Sequence, residues 1–270
     1  MKPLRFLNLL FIFLIAFKLS SCQEHSRINP GYDFELFKGT PAYYLAKAVE
    51  NEDTAGILKF VIKDSIPVDY QETKFGNTLL TLAIVNNKNL SSIKLLDLGA
   101  NPNTRSYDNS SPFLQACFSA PNLINTRETL LMLIKHGADV NSIQFDTTND
   151  QFGKKKNFST TALRIACIYG NLESVRVLVE NGARLDAYPK NEGAIISTAV
   201  LSGNLIVIKY LMIEKKAPIP DYCVIREPGR KNEKKMTITD LLNENDYKGA
   251  PDKQKLKQEI LDFLKSLGKE

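Results

Sequence analysis

Apolar residues in the stretch 161–187 recur with helical spacing in two short runs. In the first run, Leu163, Ala166 and Cys167 lie on one helical face. Gly170 follows and interrupts the pattern. This run therefore predicts one short helix with a single buried side.

The second run predicts another helix of similar length. Asn171 precedes it, and an asparagine oxygen there can accept a hydrogen bond from a free N–H of the first turn. The apolar stripe of this helix consists of Leu172, Val175, Leu178 and Val179. Gly182 supplies the left-handed residue that ends a helix. Helices of about ten residues are unstable alone in water, so this pair predicts similar neighbours on both sides.

Copies of the pair occur along the chain. The small residue of the first helix recurs at Ala83, Ala116, Ala166 and Ala199, with spacings of 33, 50 and 33 residues. A period of 33 with a T-P-L-H-x-A motif resembles ankyrin repeats. The string HGADVN at 136–141 is typical of that family. The residues that match the motif are Thr78, Leu80, Ala83, Ser111, Pro112, Ala116, Thr161, Leu163 and Ala166.

The resemblance implies an all-α fold, an ankyrin-repeat solenoid of about five to six helix–turn–helix repeats with hairpin-like loops. We assign the repeats to 41–225, and a loop followed by a helical capping repeat to 226–270. The stretch 221–235, with its basic run, is predicted to be a solvated loop. The motif histidine is replaced in every copy, which implies looser hairpins. Its position holds Thr81, Leu114, Arg164 and Ser197.

One long insertion, 142–158, interrupts the repeats. Phe145, Phe152 and Phe158 alternate in it with acidic residues and a run of lysines. A loop of this length in a compact fold is usually functional or disordered. Two interpretations stay open: an extended finger that binds a partner through its phenylalanines, or a solvated loop.

The first 21 residues have the pattern of an export signal. Lys2 and Arg5 precede the apolar run 6–17, and this run is too short to span a bilayer. Leu-Ser-Ser-Cys at 19–22 resembles the lipobox of bacterial lipoproteins, which implies cleavage before Cys22 and acylation of that residue. Plain secretion is the alternative. By resemblance to enteric lipoproteins, Gln23 favours the outer membrane.

Residues 22–40 are mostly polar, and we interpret them as a flexible tether. The whole chain has 35 basic and 30 acidic residues. Removal of the signal takes away Lys2, Arg5 and Lys18, which leaves 32 basic residues and a net charge of about +2. This balance and the export signal argue against a nucleic-acid partner, which requires a basic surface.

The sequence shows no motif for catalysis, metal binding or a cofactor. We therefore predict that the protein is not an enzyme and that it has no cofactor or metal. His136 lies in a helix-ending string and is expected to be structural.

Cys117 and Cys167 occupy one position of successive repeats. Helices pack ~8–10 Å apart, whereas a disulfide needs Cα atoms within about 7 Å, so both are predicted to be free and buried. No role is predicted for Cys223.

The predicted solenoid offers a concave wall of first helices and a row of hairpin tips as binding surfaces. Aromatic residues and arginine are favoured in protein interfaces. Candidates at the tips and in the insertion are Tyr70, Lys74, Phe75, Arg105, Tyr107, Phe145, Phe152, Lys154, Lys155, Tyr188 and Lys190. Candidates on the wall are Asn86, Phe118, Tyr169 and Leu201.

Two functions follow from these features. The first is a lipid-anchored periplasmic module that binds a partner protein; it is similar to immunity proteins that inhibit secreted toxic enzymes. The second is a scaffold or stress-protection protein of the cell envelope without an enzyme target.

Overall fold

The computed structural model describes residues 30–120, 123–149, 155–169, 171–186, 193–230, 232–245 and 247–269. Of residues 146–149 and 155–158 only the backbone is described. The predicted signal 1–21 and the predicted lipid site Cys22 lie outside these ranges. Gly31–Glu270 is one compact unit.

Twelve helices in this part of the chain follow one another as six pairs. The pairs are α1 Tyr43–Glu50 with α2 Thr54–Leu58, α3 Leu79–Val85 with α4 Asn89–Asp97, α5 Pro112–Ser119 with α6 Thr126–Lys135, α7 Ala162–Ile168 with α8 Leu172–Glu180, α9 Ile195–Ser202 with α10 Leu205–Lys209, and α11 Ile238–Asn243 with α12 Pro251–Ser266. A π-helical turn extends α2 (Lys59–Lys63) and another extends α10 (Tyr210–Glu214).

A hydroxyl side chain starts the first helix in four of these pairs. Its oxygen accepts a hydrogen bond from the backbone N–H three residues later, which satisfies one of the free donors of the first turn. The capping residues are Thr78, Ser111, Thr161 and Thr237. Three of them are the motif positions predicted from the sequence.

A residue in the left-handed conformation follows the second helix of each of the first five pairs. It is a glycine after α4, α6 and α8, and glycine adopts this conformation without steric cost. Ser65 and Lys216 take the same place in the first and fifth pairs, with φ of 55° and 52°. The residue that comes next is a buried alanine in four pairs: Ala100, Ala138, Ala183 and Ala217.

The core lies between neighbouring pairs. First helices pack side by side from α1 to α11, and among the second helices α2 contacts α4, α6 contacts α8, α8 contacts α10 and α10 contacts α12. The alanines predicted to share one register are all fully buried where first helices meet: Ala83, Ala116, Ala166 and Ala199. The prediction of a stack of helix pairs is confirmed, and the mostly helical structure fits an ankyrin solenoid.

Side chains at the exits from α2, α4 and α6 form hydrogen bonds to the next pair. Asp69 accepts from the N–H of Asn101 at 3.0 Å. Asn103 accepts from the N–H of Asp139 and donates to the carbonyl of Gly137. One pair further on, Asn141 accepts from the N–H of Arg184 at 2.9 Å and donates to the carbonyl of Gly182 at 3.1 Å. We call this series the asparagine ladder.

Arg164 stands at the position of the missing motif histidine, and it also joins two pairs. Its side chain is 6% exposed. The guanidinium donates to Thr198 Oγ1 at 2.6 Å and to the backbone carbonyl of Gly193, both in the following pair. At this junction, therefore, the residue that replaces the motif histidine donates hydrogen bonds to the next pair.

The outer sides of the second helices are joined by ion pairs. Arg127 on α6 bonds Glu173 on α8 at 2.8 Å. Lys209 on α10 bonds Glu259 on α12 at 2.7 Å. These side chains are more than a third exposed, so solvent screens each pair and its contribution to stability is small. Their main effect is to keep this side of the array charged.

Residues 31–37, which we call the N-terminal segment, are part of the folded unit. Phe34 and Phe37 in a 3-10 helix (Phe34–Phe37) are 5% and 0% exposed. The carbonyls of Gly31 and Tyr32 accept hydrogen bonds from the side-chain amides of Asn77 and Asn86, each at 2.9 Å. The tether predicted for 22–40 is therefore wrong for 31–40.

The insertion forms an antiparallel hairpin. Strand β1 (Ile143–Asn149) pairs with β2 (Lys155–Thr161), with Ile143 opposite Thr161 and Asn149 opposite Lys155. The described part of the insertion is therefore extended and paired, whereas binding of a partner through its phenylalanines stays a prediction. The stretch 221–235, predicted to be a loop, contains strand β3 (Val224–Arg226), which pairs with β4 (Lys234–Met236).

We expect Asn141→Ala to destabilise the array by about 1 kcal/mol, because it removes two inter-pair hydrogen bonds that are partly open to water. Urea-induced unfolding followed by circular dichroism measures the change. Asn243→Ala, at an exposed residue in α11, is the control and should shift stability by no more than about 0.5 kcal/mol. Equal stability of the two variants would contradict a structural role for the ladder.

Candidate binding surface

The loop that precedes α3 is held by a buried carboxylate. Glu72 is fully buried, and its carboxylate accepts hydrogen bonds from the backbone N–H groups of Lys74, Phe75 and Asn77 at 2.6–3.1 Å. Three donors to one carboxylate satisfy a charge that would otherwise be costly to bury. The loop is fixed as a result, and with it the position of Phe75.

This loop is the first hairpin tip. Hydrogen bonds also join it to the second tip, which is the loop that precedes α5. Gln71 Nε2 donates to the carbonyls of Gly76 and Arg105 at 2.6 and 2.7 Å. The backbone N–H of Tyr107 donates to the carbonyl of Phe75 at 2.9 Å. The first two tips are therefore parts of one bonded structure.

The second tip is joined in the same way to the base of the β1–β2 hairpin. Arg105 Nη2 donates to Ser142 Oγ at 2.7 Å, and Gln144 Nε2 donates to the carbonyl of Asp108 at 3.1 Å. Three successive tips thus form a continuous bonded row. Such a surface loses little conformational freedom when it binds a partner.

Each of these three tips carries one aromatic residue that was predicted from the sequence. We call Phe75, Tyr107 and Phe145 the tip cluster. Tyr107 is 68% exposed and Phe145 is 58% exposed, whereas Phe75 is half-buried. Gly76 allows the Tyr107 ring to approach, since a Cβ there would lie 2.6 Å from a ring carbon. Hydrogen bonds therefore join the three loops that carry these predicted residues, and the rings of Tyr107 and Phe145 are the ones left exposed.

The other predicted tip residues are placed differently. Tyr70 is half-buried, and its ring centroid lies 6.3 Å from that of Phe37. Lys74 is exposed, with its ammonium nitrogen 5.1 Å from the centroid of Phe75. Arg105 donates to Asn109 and Ser142, so it supports the row. Of Lys155 only the backbone is described, and the remaining candidates lie outside the described residues: Phe152, Lys154, Tyr188 and Lys190.

A second group of predicted residues lies at the C-terminal ends of the first helices. Phe118 and Tyr169 form an edge-to-face contact, with centroids 6.0 Å apart. Leu201 on α9 is 53% exposed and Tyr169 is 39% exposed. Asn86 ends α3, but its amide already donates to Tyr32. The N-terminal segment therefore covers the second pair at this level, and the residues left open belong to the next three pairs.

Tyr32 was not among the candidates, yet it lies close enough to Asp108 on the second tip for the two groups to interact electrostatically. Burial, and then the nearby charge of Asp108, raise the pKa of Tyr32 to about 12. No local sequence signal predicts this contact, because Asp108 is 76 residues away. The apolar residues Phe34 and Phe37 were the visible sign that this segment is not a tether.

Two of the cysteine thiols, those of Cys117 and Cys167, are not placed to act as nucleophiles or metal ligands. Cys117 and Cys167 are free and fully buried, as predicted. Burial raises the pKa of the Cys167 thiol to about 12 and that of Cys117 further, so neither forms a thiolate near neutral pH.

Among the described residues, no group of three histidine, cysteine or acidic side chains is arranged to hold a metal ion. None of the described helices has the length and apolar character needed to cross a membrane.

Comparison with known families finds ankyrin repeats in this chain. A family model described as ankyrin repeats in three copies matches residues 144–221. None of the curated proteins matches the chain. Ankyrin repeats are typically non-enzymatic domains that bind protein partners, and no catalytic family is indicated. The matched stretch is therefore of a kind that is typical of protein–protein interaction modules.

We expect Tyr32→Phe to change the response of the fold to alkaline pH. The folded-state pKa is raised from the ordinary value of 10.0 to about 12, so the stabilisation is complete below pH 10 and is lost as the pH rises to 12. Urea-induced unfolding at a series of pH values should show a smaller decline in this window for the variant. Identical declines in the two proteins would show that Tyr32 is not buried.

We also predict that the thiols differ in reactivity. A thiol reagent at about pH 8 should modify Cys223, which is partly exposed, much faster than Cys117 or Cys167. Denaturation should expose all three. In Cys223→Ser the rapid phase should disappear and the two slow thiols should remain. Rapid modification of Cys117 in the native protein would contradict the described core.

Proposed function

We propose that the protein is a lipid-anchored module of the bacterial envelope that binds a partner enzyme and inhibits it, in the manner of an immunity protein paired with a toxic effector. In this proposal all six helix pairs belong to one ankyrin array, with α11 and α12 as its cap. The lipid on Cys22 holds the array in the periplasm, at the outer membrane.

The tip cluster is the observation that carries the binding part of this proposal. Tyr107 and Phe145 are exposed aromatic residues on a row of tips that backbone and side-chain hydrogen bonds join to one another. Large side chains of this kind lie exposed only at an energetic disadvantage, and they become binding hot spots when a partner covers them.

The other long side of the array is poorly suited to the same task. Ion pairs such as Arg127–Glu173 and Lys209–Glu259 already satisfy its charges internally. A partner there would have to desolvate these pairs without providing better ones. Charge thus favours the tips and the open ends of the first helices as the binding side.

The inhibitory role rests on the export signal, the absence of catalytic motifs in the sequence and the projecting hairpin. A hairpin longer than the other tips can enter a cleft that flat surfaces cannot reach. The scaffold alternative needs only the binding surface, so an assay of the captured partner separates the two.

We expect the double variant Tyr107→Ala/Phe145→Ala to lose most partner binding. Each truncation should weaken the complex by about 1–2 kcal/mol, roughly five- to thirtyfold in Kd. The partner is captured by co-purification with the unaltered protein, and calorimetry then compares the variants. Ile93→Ala is the control, because Ile93 is also a large exposed side chain (45%) but lies on the second helix α4, away from the tip cluster.

A shortened finger extends the same test. In the strand register Asp146 lies opposite Phe158, so a two-residue Asn-Gly turn in place of residues 147–157 closes the hairpin early. Binding that survives this change and the double variant would show that the tips are not the interface. Binding without inhibition of the captured enzyme would favour the scaffold alternative.

A further inference from the structure

The β1–β2 hairpin is much longer than the first tip of the row. Each of its strands has seven residues, whereas the first tip contains a single isolated bridge, between Gln71 and Thr78. A strand rises ~3.3 Å per residue, so seven residues extend over about 20 Å. The hairpin therefore offers a length of strand that the first tip does not have.

The second tip is bonded to β1 at the base of the strand. Gln144, the second residue of β1, donates to the main-chain carbonyl of Asp108 at 3.1 Å. Ser142, which precedes the strand, accepts from Arg105 Nη2 at 2.7 Å. Residues 145–149 of β1 follow this junction and lead away from it. The main chain of the second tip thus lies beside β1 where the strand begins.

β1 is an edge strand in the part of the chain that the structure describes. The sheet to which it belongs has two strands there, β1 and β2. In an antiparallel pair, every second residue of a strand directs its N–H and C=O away from the neighbouring strand. A hairpin of two strands is only marginally stable in water, and three strands are markedly more stable. A third strand would therefore stabilise this hairpin.

The spacing of these backbone groups defines what can bind them. They recur at every second residue, about 7 Å apart, and an extended main chain presents complementary groups at the same interval. The exposed rings of the tip cluster belong to residues next to the junction, because Tyr107 precedes Asp108 and Phe145 follows Gln144. A strand that continues along β1 from the junction therefore starts between the two loops that carry these rings.

A second copy of the chain suits this edge less well than a strand of another protein. If two β1 strands paired antiparallel over all seven residues, the central residue, Asp146, would lie opposite its own equivalent. Like charges directly opposite each other destabilise a strand pair, and charged residues in edge strands prevent such pairing between copies. A partner strand with a neutral or basic residue at this place avoids that repulsion.

We propose that the partner protein adds an extended strand to the edge of β1, along residues 145–149. This inference rests on the proposed function, in which the tips bind a partner, and it specifies the mode of binding. Main-chain hydrogen bonds to β1 supply the attachment, and contacts with Tyr107 and Phe145 select the side chains of the added strand.

Two adjacent threonines of β1 allow a matched test. Thr147 and Thr148 lie opposite Asn157 and Lys156, and because strand residues alternate, only one of the two directs its N–H away from β2. Proline at the outward position removes a donor that β2 does not use, whereas proline at the inward position breaks the β1–β2 pairing. Thr147→Ala and Thr148→Ala are the controls, since alanine keeps the N–H and removes only the side chain.

Hydrogen exchange of the unaltered free protein identifies the outward residue, because its amide exchanges faster. The full-length variants Thr147→Pro and Thr148→Pro are then compared by calorimetry with the partner that co-purifies with the unaltered protein. We expect proline at the outward position to raise Kd at least tenfold while the amides of β2 stay protected, and alanine there to change Kd less than threefold. In the unaltered complex, every second amide of residues 145–149 should gain protection.

If the outward proline leaves Kd unchanged and Tyr107→Ala/Phe145→Ala still abolishes binding, strand addition is refuted and the proposed function stands. If neither change affects binding, the tips are not the interface and both proposals fall. Should the outward proline unpair β2, the alternating protection in the unaltered complex decides, and its absence refutes the added strand. Protection of these amides that appears in the free protein as its concentration rises would assign the edge to a second copy.

Discussion

Helices of five to ten residues, apart from the longer α12, cannot bury an apolar face unless another pair lies beside them. α3 has seven residues and α7 has seven, lengths at which an isolated helix is not stable in water. The fully buried alanines Ala83, Ala116 and Ala166 mark where first helices meet, because a small side chain there lets the backbones approach. Stability in such an array belongs to the junctions between pairs rather than to any single pair.

This constraint explains why the hydrogen bonds between pairs recur at one place. The exit from each second helix must turn back through a left-handed residue, and this leaves backbone N–H groups that the helix does not satisfy. Asn103 and Asn141 accept from the next pair at that point, so the same side chain closes one turn and aligns its neighbour. Arg164 adds a further link where the motif histidine is missing. The fourth and fifth pairs are thus joined by hydrogen bonds although the motif histidine is absent.

Most of the array was predictable because its signals are local. The spacing of Ala83, Ala116 and Ala199 defines the register, and the hydroxyl caps and glycines mark where helices begin and end. Contacts between distant residues were not predictable in this way. The N-terminal segment reaches Asn86, which is 54 residues from Tyr32, and its polar neighbours made it resemble a tether. In the insertion, alternating phenylalanines suggested an extended finger, and the register of β1 and β2 shows the strand pairing that this spacing alone did not define. Candidate side chains such as Tyr70 and Arg105 were of suitable type, yet the fold uses them to hold neighbouring segments.

The bonded row of tips also indicates what size of partner it suits. Neighbouring helices lie ~8–10 Å apart, so three successive tips extend over about 20 Å, a length that fits one side of an ordinary protein–protein interface. A small molecule would meet only one member of the tip cluster, whereas a folded partner can cover Phe75, Tyr107 and Phe145 together. Because Gln71, Arg105 and Gln144 hold the tips before any partner arrives, the energy of covering these rings is not spent on ordering the loops. The N-terminal segment limits the open surface from one side, and the outer ion pairs limit it from the other. A protein surface that meets the tips and the exposed ends of α5, α7 and α9 is therefore the occupant that this array fits best.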